Sequence, residues 1–327
     1  MQYTPSTIRT YCENLPMRMP SLRRTLLPLT AALLLGACSG KDNPAAPGGN
    51  SPEAAVQSSI DLLKAGDFDG LWKHALPPED YANMRADWDR QRADADPVSA
   101  DERARFDEAM QKLTAPDAET QLYAELEPKL AAMEEQYKDQ LPVMISVGQA
   151  LLKSGVTQST NLSEQQKNQA NAMIDVVVPW AQQTAWFDKD KARQAINVAA
   201  ATARKLELKD PDQLRAMEFD AAMGKFSTGY AGLKQILAIY GLSVDEALDS
   251  VKLTQVSNSD GHAVVKIDYT LLGQPLSTES KLVEQDGRWY SEDMLENVRK
   301  SHRELIQQPA ATASTGGPAD ADGAAVD

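Results

Sequence analysis

The sequence predicts an α+β protein that is mostly helical, with opening helices, a long helical middle and a C-terminal antiparallel meander of three or four strands. Apolar residues recur at steps of three and four over residues 79–240, which is the spacing of one face of a helix. From about residue 250 the spacing changes to strict alternation, the pattern of a half-buried strand. The turn-forming pair Asp286-Gly287 separates two of the alternating segments and favours a hairpin there.

Residues 1–37 form a predicted signal peptide. A pair of arginines precedes an apolar run at 26–35, which is too short to cross a bilayer as a helix. The residues before Met17 do not resemble the basic start of a signal peptide. Translation is therefore predicted to start at Met17 or Met19.

The motif Leu-Gly-Ala-Cys at residues 35–38 resembles the lipobox of bacterial lipoproteins. The resemblance implies cleavage before Cys38 and lipid attachment to its sulfur and amine, which makes the membrane one partner of the chain. By the same resemblance, Ser39 in the next position favours the outer membrane, facing the periplasm. The other cysteine, Cys12, precedes the cleavage point, so the mature chain has no pair of cysteines for an internal disulfide.

The predicted folded body covers residues 51–308 and is flanked by flexible segments. Residues 38–50 contain the lipidated cysteine and a tether of Pro, Gly, Ala and Asn, and residues 309–327 form a tail without large apolar residues. Removal of residues 1–37 takes away four basic residues and one acidic residue, so the net charge falls from −14 to −17. Such acidity opposes nucleic acid as a partner.

The opening helices carry clear start and stop signals. Ser51 is placed to cap a helix that has Pro52 in its first position, and Gly66 is placed to end it. A second short helix is expected before Pro77. In the helical middle, Ser99 begins a segment with the spacing of a capping box.

One apolar stripe of the helical middle is predicted to pack in the core. Its members recur at steps of three and four: Leu122, Leu126, Leu130, Met133, Tyr137, Leu141 and Met144. Pro128 and Pro142 are expected to kink or divide this stripe. Further along, Gly229 and Gly232 are expected to let a neighbouring helix approach closely.

The meander is predicted over about 250–292. Its central strand alternates, with one set of residues pointing to the apolar face: Val265, Ile267, Tyr269 and Leu271. The neighbouring strands are expected at 251–256, 276–284 and 289–290. A final helix is predicted from Asp293 to Leu305.

Two segments resemble a known group. Residues 51–68 and the hairpin at 286–290 are similar to the first helix and a late strand of small bacterial lipoproteins with a nuclear-transport-factor-2-like fold, in which helices close a curved sheet into a cone. In that group the cone serves as a ligand pocket, an enzyme site or an interaction module. The helical middle is longer than the family's core, so the resemblance implies an insertion or a second subdomain there.

Two aromatic sets are candidate binding residues. Tyr269 and Trp289 are predicted to line a concave pocket, with ordinary packing in the sheet core as the alternative. Trp180, Trp186 and Phe187 are able to stack on a sugar or to anchor a partner, with core packing again as the alternative.

The sequence does not predict catalytic, cofactor-binding or metal-binding residues. His74, His262 and His302 stand far apart, and no phosphate loop or dinucleotide fingerprint is present. Asp268 and Tyr269 are adjacent on a strand and therefore face opposite sides. The sequence favours an envelope lipoprotein that acts as a binding or interaction module, with an envelope protein as partner. The alternatives are a carrier of small apolar or amphiphilic ligands and an enzyme with a carboxylate-based site.

Overall fold

The computed structural model describes residues 46–93, 97–160 and 162–307. Cys38, the predicted signal peptide and the predicted tail at 309–327 lie outside these residues. Along the described chain, eleven helices precede a four-stranded sheet and a twelfth helix follows it. The predicted fold class, α+β and mostly helical with a C-terminal antiparallel meander, is confirmed.

The helices before the sheet are α1 (Pro52–Ala65), α2 (Phe68–Ala75), α3 (Pro78–Ala93), α4 (Ala100–Thr114), α5 (Ala118–Tyr137), α6 (Leu141–Gln158), α7 (Glu164–Gln183), α8 (Lys189–Leu206), α9 (Pro211–Ala216), α10 (Phe219–Ile239) and α11 (Val244–Asp249). The strands and the last helix are β1 (Lys252–Ser259), β2 (His262–Leu271), β3 (Gln274–Gln285), β4 (Arg288–Ser291) and α12 (Glu292–Gln307).

Helix α1 begins and ends where the sequence predicts. Ser51 Oγ accepts a hydrogen bond from a first-turn amide at 3.1 Å, and Pro52 occupies the first turn. Gly66 ends the helix in the left-handed conformation, with φ of 71°. At the start of α4, Ser99 and Glu102 form the predicted capping box. These helix ends depend on hydrogen bonds between residues close in sequence, so the sequence predicts them without knowledge of the fold.

The apolar stripe that was predicted as core is buried in part. α5 runs through Pro128, and the chain then breaks before α6, which has Pro142 in its first turn. Leu130 is buried, whereas Met133 and Met144 are exposed. The core prediction is wrong for these two methionines. After the break, α6 turns a different row of side chains toward α7, so the stripe does not continue as one buried face.

The close approach of α8 and α10 requires a glycine. A Cβ atom at Gly232 would lie 2.3 Å from Thr202 Oγ1 of α8, which confirms the prediction for this residue. The same prediction is wrong for Gly229, where a Cβ atom would meet nothing within 4 Å. Gly229 faces open space because it lies a turn away from the contact line.

The four strands pair antiparallel in the order β1-β2-β3-β4. Two-residue turns with positive φ join them at 260–261, 272–273 and 286–287, as in type I′ hairpins. β4 pairs with residues 282–285 of β3. The earlier part of β3 therefore has an edge that β4 does not cover, and α7 packs beside it.

The two faces of the sheet pack against different helices. Val265, Ile267 and Leu282 are almost completely buried on one face, and α1 packs against β1, β2 and β4. Tyr290 lies on the other face, in a buried cluster with Leu76 and residues of α12. One face of the sheet therefore packs on α1, whereas the other face packs on α12 and on residues at the end of α2 and in α3.

Residues 46–50, which were predicted as the end of the flexible tether, are held against β4. The Gly49 amide donates to Trp289 O at 3.0 Å, and the Trp289 amide donates back to Gly49 O at 2.9 Å. A Cβ atom at Gly49 would lie 2.1 Å from Ala55 N. The tether prediction is wrong for residues 46–50, because the outer edge of β4 offers backbone groups with which they pair.

Candidate interaction surface

Five large apolar side chains of α6 are exposed to solvent. Val143, Met144, Val147, Leu151 and Leu152 are between 56% and 69% exposed, and we call them the α6 surface. Scattered apolar residues are ordinary on a protein surface. Five on one helix form a contiguous patch, and such patches mark sites of interaction with other molecules.

Polar contacts on the other side of α6 fix its orientation on α7. Lys153 Nζ lies 2.5 Å from Asp175 Oδ1, and Gln149 Nε2 donates to the same oxygen at 3.1 Å. Nearer the start of α6, Gln182 Nε2 of α7 donates to Ser146 Oγ at 3.0 Å. Because these contacts hold one side of α6 on α7, the α6 surface faces outward.

The α6 surface carries no charge. Lys153 is the one charged residue in the sequence of α6, and Asp175 neutralises it. Gly148 and Gly155 lie next to the surface, and a Cβ atom at either would meet nothing within 4 Å. The exposed side of α6 therefore combines bulky aliphatic side chains with open positions, which another helix is able to fill.

Tyr269 and Trp289, the predicted pocket residues, lie on the same face of the sheet but far apart along it. Tyr269 pairs with Leu276 of β3, and Trp289 pairs with Glu284. These partners are eight positions apart on β3, which corresponds to about 27 Å at the usual strand rise. Trp289 is buried. The sheet therefore does not bring the two residues together.

Tyr269 instead contacts α7. Gln169 Nε2 donates to the Tyr269 hydroxyl at 2.8 Å. Burial raises the pKa of Tyr269 to about 12, and the hydrogen bond from Gln169 opposes part of this rise. Gln169 Oε1 is buried and has no hydrogen-bond partner among the described residues. No local sequence pattern indicates Gln169, since 100 positions separate it from Tyr269.

Trp180 of α7, Trp186 in the segment that follows α7 and Tyr240 at the end of α10 form an aromatic cluster. The rings of Trp180 and Trp186 lie 5.5 Å apart in an edge-on arrangement, and Tyr240 lies 5.1 Å from Trp186. Both indole N–H groups are used: Trp180 Nε1 donates to Tyr240 O at 2.9 Å, and Trp186 Nε1 donates to Ala181 O at 2.7 Å. These contacts support the packing alternative, because the N–H groups of both indole rings already donate hydrogen bonds within the protein.

Two buried carboxylates join α3 to α12. Arg299 donates to both oxygens of Asp80, at 2.9 and 2.7 Å. His302 Nδ1 lies 2.8 Å from Asp87 Oδ2. Asp80 and Asp87 are buried, so these two contacts hold α3 and α12 in one relative position. More than 200 positions separate the partners in each pair, and no local pattern indicates them.

His74 is a second feature that the sequence did not reveal. Its side chain is buried, with Nδ1 lying 2.7 Å from Ala46 O and Nε2 lying 2.8 Å from Ala55 O. The His74 carbonyl also accepts from the Gly48 amide at 2.8 Å. His74 therefore ties the segment that leads to Cys38 to the first helix of the body.

Comparison with known proteins adds no assignment. No protein-family model, curated protein or solved structure matches this chain. Within the described ranges, no three His, Cys, Asp or Glu side chains lie close enough to hold a metal ion together. None of the described helices combines the length and the apolar character that crossing a membrane requires. The α6 surface and the lipobox-like motif at residues 35–38 are therefore the features of this chain that bear on its function.

Proposed function

We propose that this chain is a bacterial envelope lipoprotein, anchored through Cys38 in the outer membrane and facing the periplasm, that acts as an interaction module. The lipobox resemblance at residues 35–38 supports the anchor. The net charge of −14 supports a water-exposed body.

The observation that carries the interaction role is the α6 surface. It is apolar, uncharged and fixed in orientation by α7. A patch of this kind, exposed in the monomer, is stabilised when another molecule covers it. In this proposal the anchor determines where the module works, and α6 determines what it binds.

The anchor and the surface are tested separately. Cells fed an alkyne-labelled fatty acid should label the parent chain and should fail to label Cys38→Ala; labelling that survives the substitution would rule out the anchor. A photocrosslinking residue at position 147 should give a discrete product in intact cells. The same residue in place of the exposed Asn297 of α12 is the matched control. Equal products at both positions would rule out an interaction through α6.

Carriage of a small amphiphilic ligand is the second candidate function. The buried and unpartnered Gln169 Oε1 beside the Tyr269 hydroxyl supports it, since such a polar group is stabilised by a hydrogen-bond donor. Mass spectrometry of the protein extracted under native conditions should then find a small molecule that is lost in Gln169→Leu. The cone-like, nuclear-transport-factor-2-like arrangement of the sheet stays a prediction.

A further inference from the structure

The size of the exposed side chains differs between the two ends of α6. Val143 and Met144 lie in the first turn of the exposed side, Leu151 and Leu152 follow in the second half of the helix, and Ser154 and Gly155 lie near the last turn. Val147 and Leu151 lie between them, one helical turn apart. Because bulky side chains lie at one end and small ones at the other, this helix face is complementary to the same face of a second copy that runs in the opposite direction.

From this pattern we infer that the α6 surface binds the α6 surface of a second copy of this chain, with the two helices antiparallel about a two-fold axis. This inference rests on the proposed interaction role of the same surface. It places Val143 of each copy against Gly155 of the other, and Val147 against Leu151. A two-fold axis uses one patch twice, as most homodimers do.

The antiparallel arrangement follows from packing. In a parallel pair, Val143 would face its own copy and Gly155 would face its own copy, which gives crowding at one end and a void at the other. In the antiparallel pair, the bulky Val143 meets the small Gly155 at each end, and Val147 packs against Leu151 in the middle. Open space around Gly148 and Gly155 lets the two backbones approach closely.

Charge favours a second copy over a lipid surface as the occupant. Helices that lie in a bilayer interface carry Lys and Arg on their polar side and aromatic residues on the apolar side. α6 has no aromatic residue, and its one lysine is paired with Asp175. The strongly acidic chain is repelled by anionic headgroups. An uncharged patch is the part of such a chain where two copies meet without facing like charges.

The area of the patch explains why the anchor matters. The five side chains are each about three-fifths exposed. They offer roughly 300 Å² of apolar surface per copy, taking on the order of 100 Å² for one such side chain when fully exposed. Stable dimers bury about 800 Å² per partner. The α6 contact alone is therefore weak in dilute solution. Confinement to a membrane raises the effective concentration of the copies and favours their association.

The test uses the full chain, expressed in cells, with single cysteines introduced on α6. Val143→Cys and Gly155→Cys are produced in one strain with tags of different size, and also one at a time. Copper-catalysed oxidation joins thiols whose Cα atoms lie within about 7 Å. In the proposed dimer the two copies of residue 143 lie about 18 Å apart along the helix, at 1.5 Å per residue, and so do the two copies of residue 155.

A covalent dimer is expected in the strain with both variants, and it should be lost when either variant is expressed alone. Addition of Val147→Asp to both variants should also abolish the product, because it places two carboxylates near the two-fold axis. No product in the mixed strain overturns the inference. Products from each variant alone overturn the antiparallel arrangement, and a product with a different protein overturns the choice of a second copy.

The parent chain separates a failed anchor from a failed dimer. If Cys38 carries lipid, the parent has no free thiol at this position and gives no covalent dimer. A dimer of the parent indicates a free cysteine and counts against the proposed anchor. In that case the same α6 pair is tested with Cys12→Ser and Cys38→Ser added, and its outcomes keep the meaning given above.

Discussion

His74 is expected to hold residues 46–50 on the body, and His74→Phe tests this. Phenylalanine keeps an aromatic ring and removes both nitrogens, so the carbonyl oxygens of Ala46 and Ala55 lose the ring nitrogens beside them. Ala55 O still accepts a hydrogen bond from Ser59 Oγ at 3.0 Å, so the free-energy cost of the substitution at this oxygen is small. Ala46 O, at a half-buried position, loses the nearby ring nitrogen. A carbonyl that is shielded from water and left without a partner costs about 1–3 kcal/mol. We expect a total loss near the middle of that range, about 2 kcal/mol.

Hydrogen exchange is the direct assay. The cost at Ala46 O is avoided if residues 46–50 leave the edge of β4 and bind water, so opening should be local. The amides of Gly49 and Trp289, which bond to each other's carbonyls, should exchange faster by about 30-fold, the equivalent of 2 kcal/mol. The amides of β2 should keep their protection.

The control is His262→Phe, at an exposed position in the sheet. It makes the same chemical change without removing a buried contact, so exchange at Gly49 should stay at the parent rate. Unchanged exchange at Gly49 in His74→Phe would refute the argument that His74 holds this segment. Faster exchange throughout the sheet would show that the residue supports the whole core instead.

Three further predictions concern the body. Arg299→Met should lower the free energy of unfolding by about 2–3 kcal/mol, because it leaves the buried Asp80 carboxylate unpaired. In urea unfolding, the double variant with Asp80→Leu should recover most of this loss. An additive double variant would contradict the pairing. Because burial raises the pKa of Tyr269 from 10 to about 12, its contribution to stability is complete below pH 10 and is lost as the pH rises through 12. Tyr269→Phe should therefore make unfolding less pH-dependent over this range, and an unchanged slope would count against the burial argument. Gly232→Ala should destabilise the chain by about 1–3 kcal/mol by forcing α8 and α10 apart, whereas Gly229→Ala, in open space, should raise stability by up to about 1 kcal/mol. Thermal unfolding of the two variants side by side decides this, and equal shifts would be the contrary result.

Elements whose signals lie within a few residues were predictable from the sequence. Ser51 and Gly66 bound α1 because capping depends on hydrogen bonds between near neighbours. The alternation through Val265 and Ile267 indicated a strand with one buried face, and the structure buries both residues. The turn at Asp286-Gly287 follows from the ease with which this pair adopts positive φ. Fold class and strand order therefore came from local chemistry.

The candidate sites depended on which distant surfaces meet. The helical spacing of Met144 is the same whether a neighbour covers it or not, so its exposure was decided when α6 packed on α7 through another row. The composition of residues 46–50 predicted a flexible tether, whereas in the structure Gly49 pairs with the edge of β4. Tyr269 and Trp289 were predicted to line one pocket, but the strand register places them far apart. Periodicity determines the face on which a side chain lies, and tertiary packing alone determines what that face contacts.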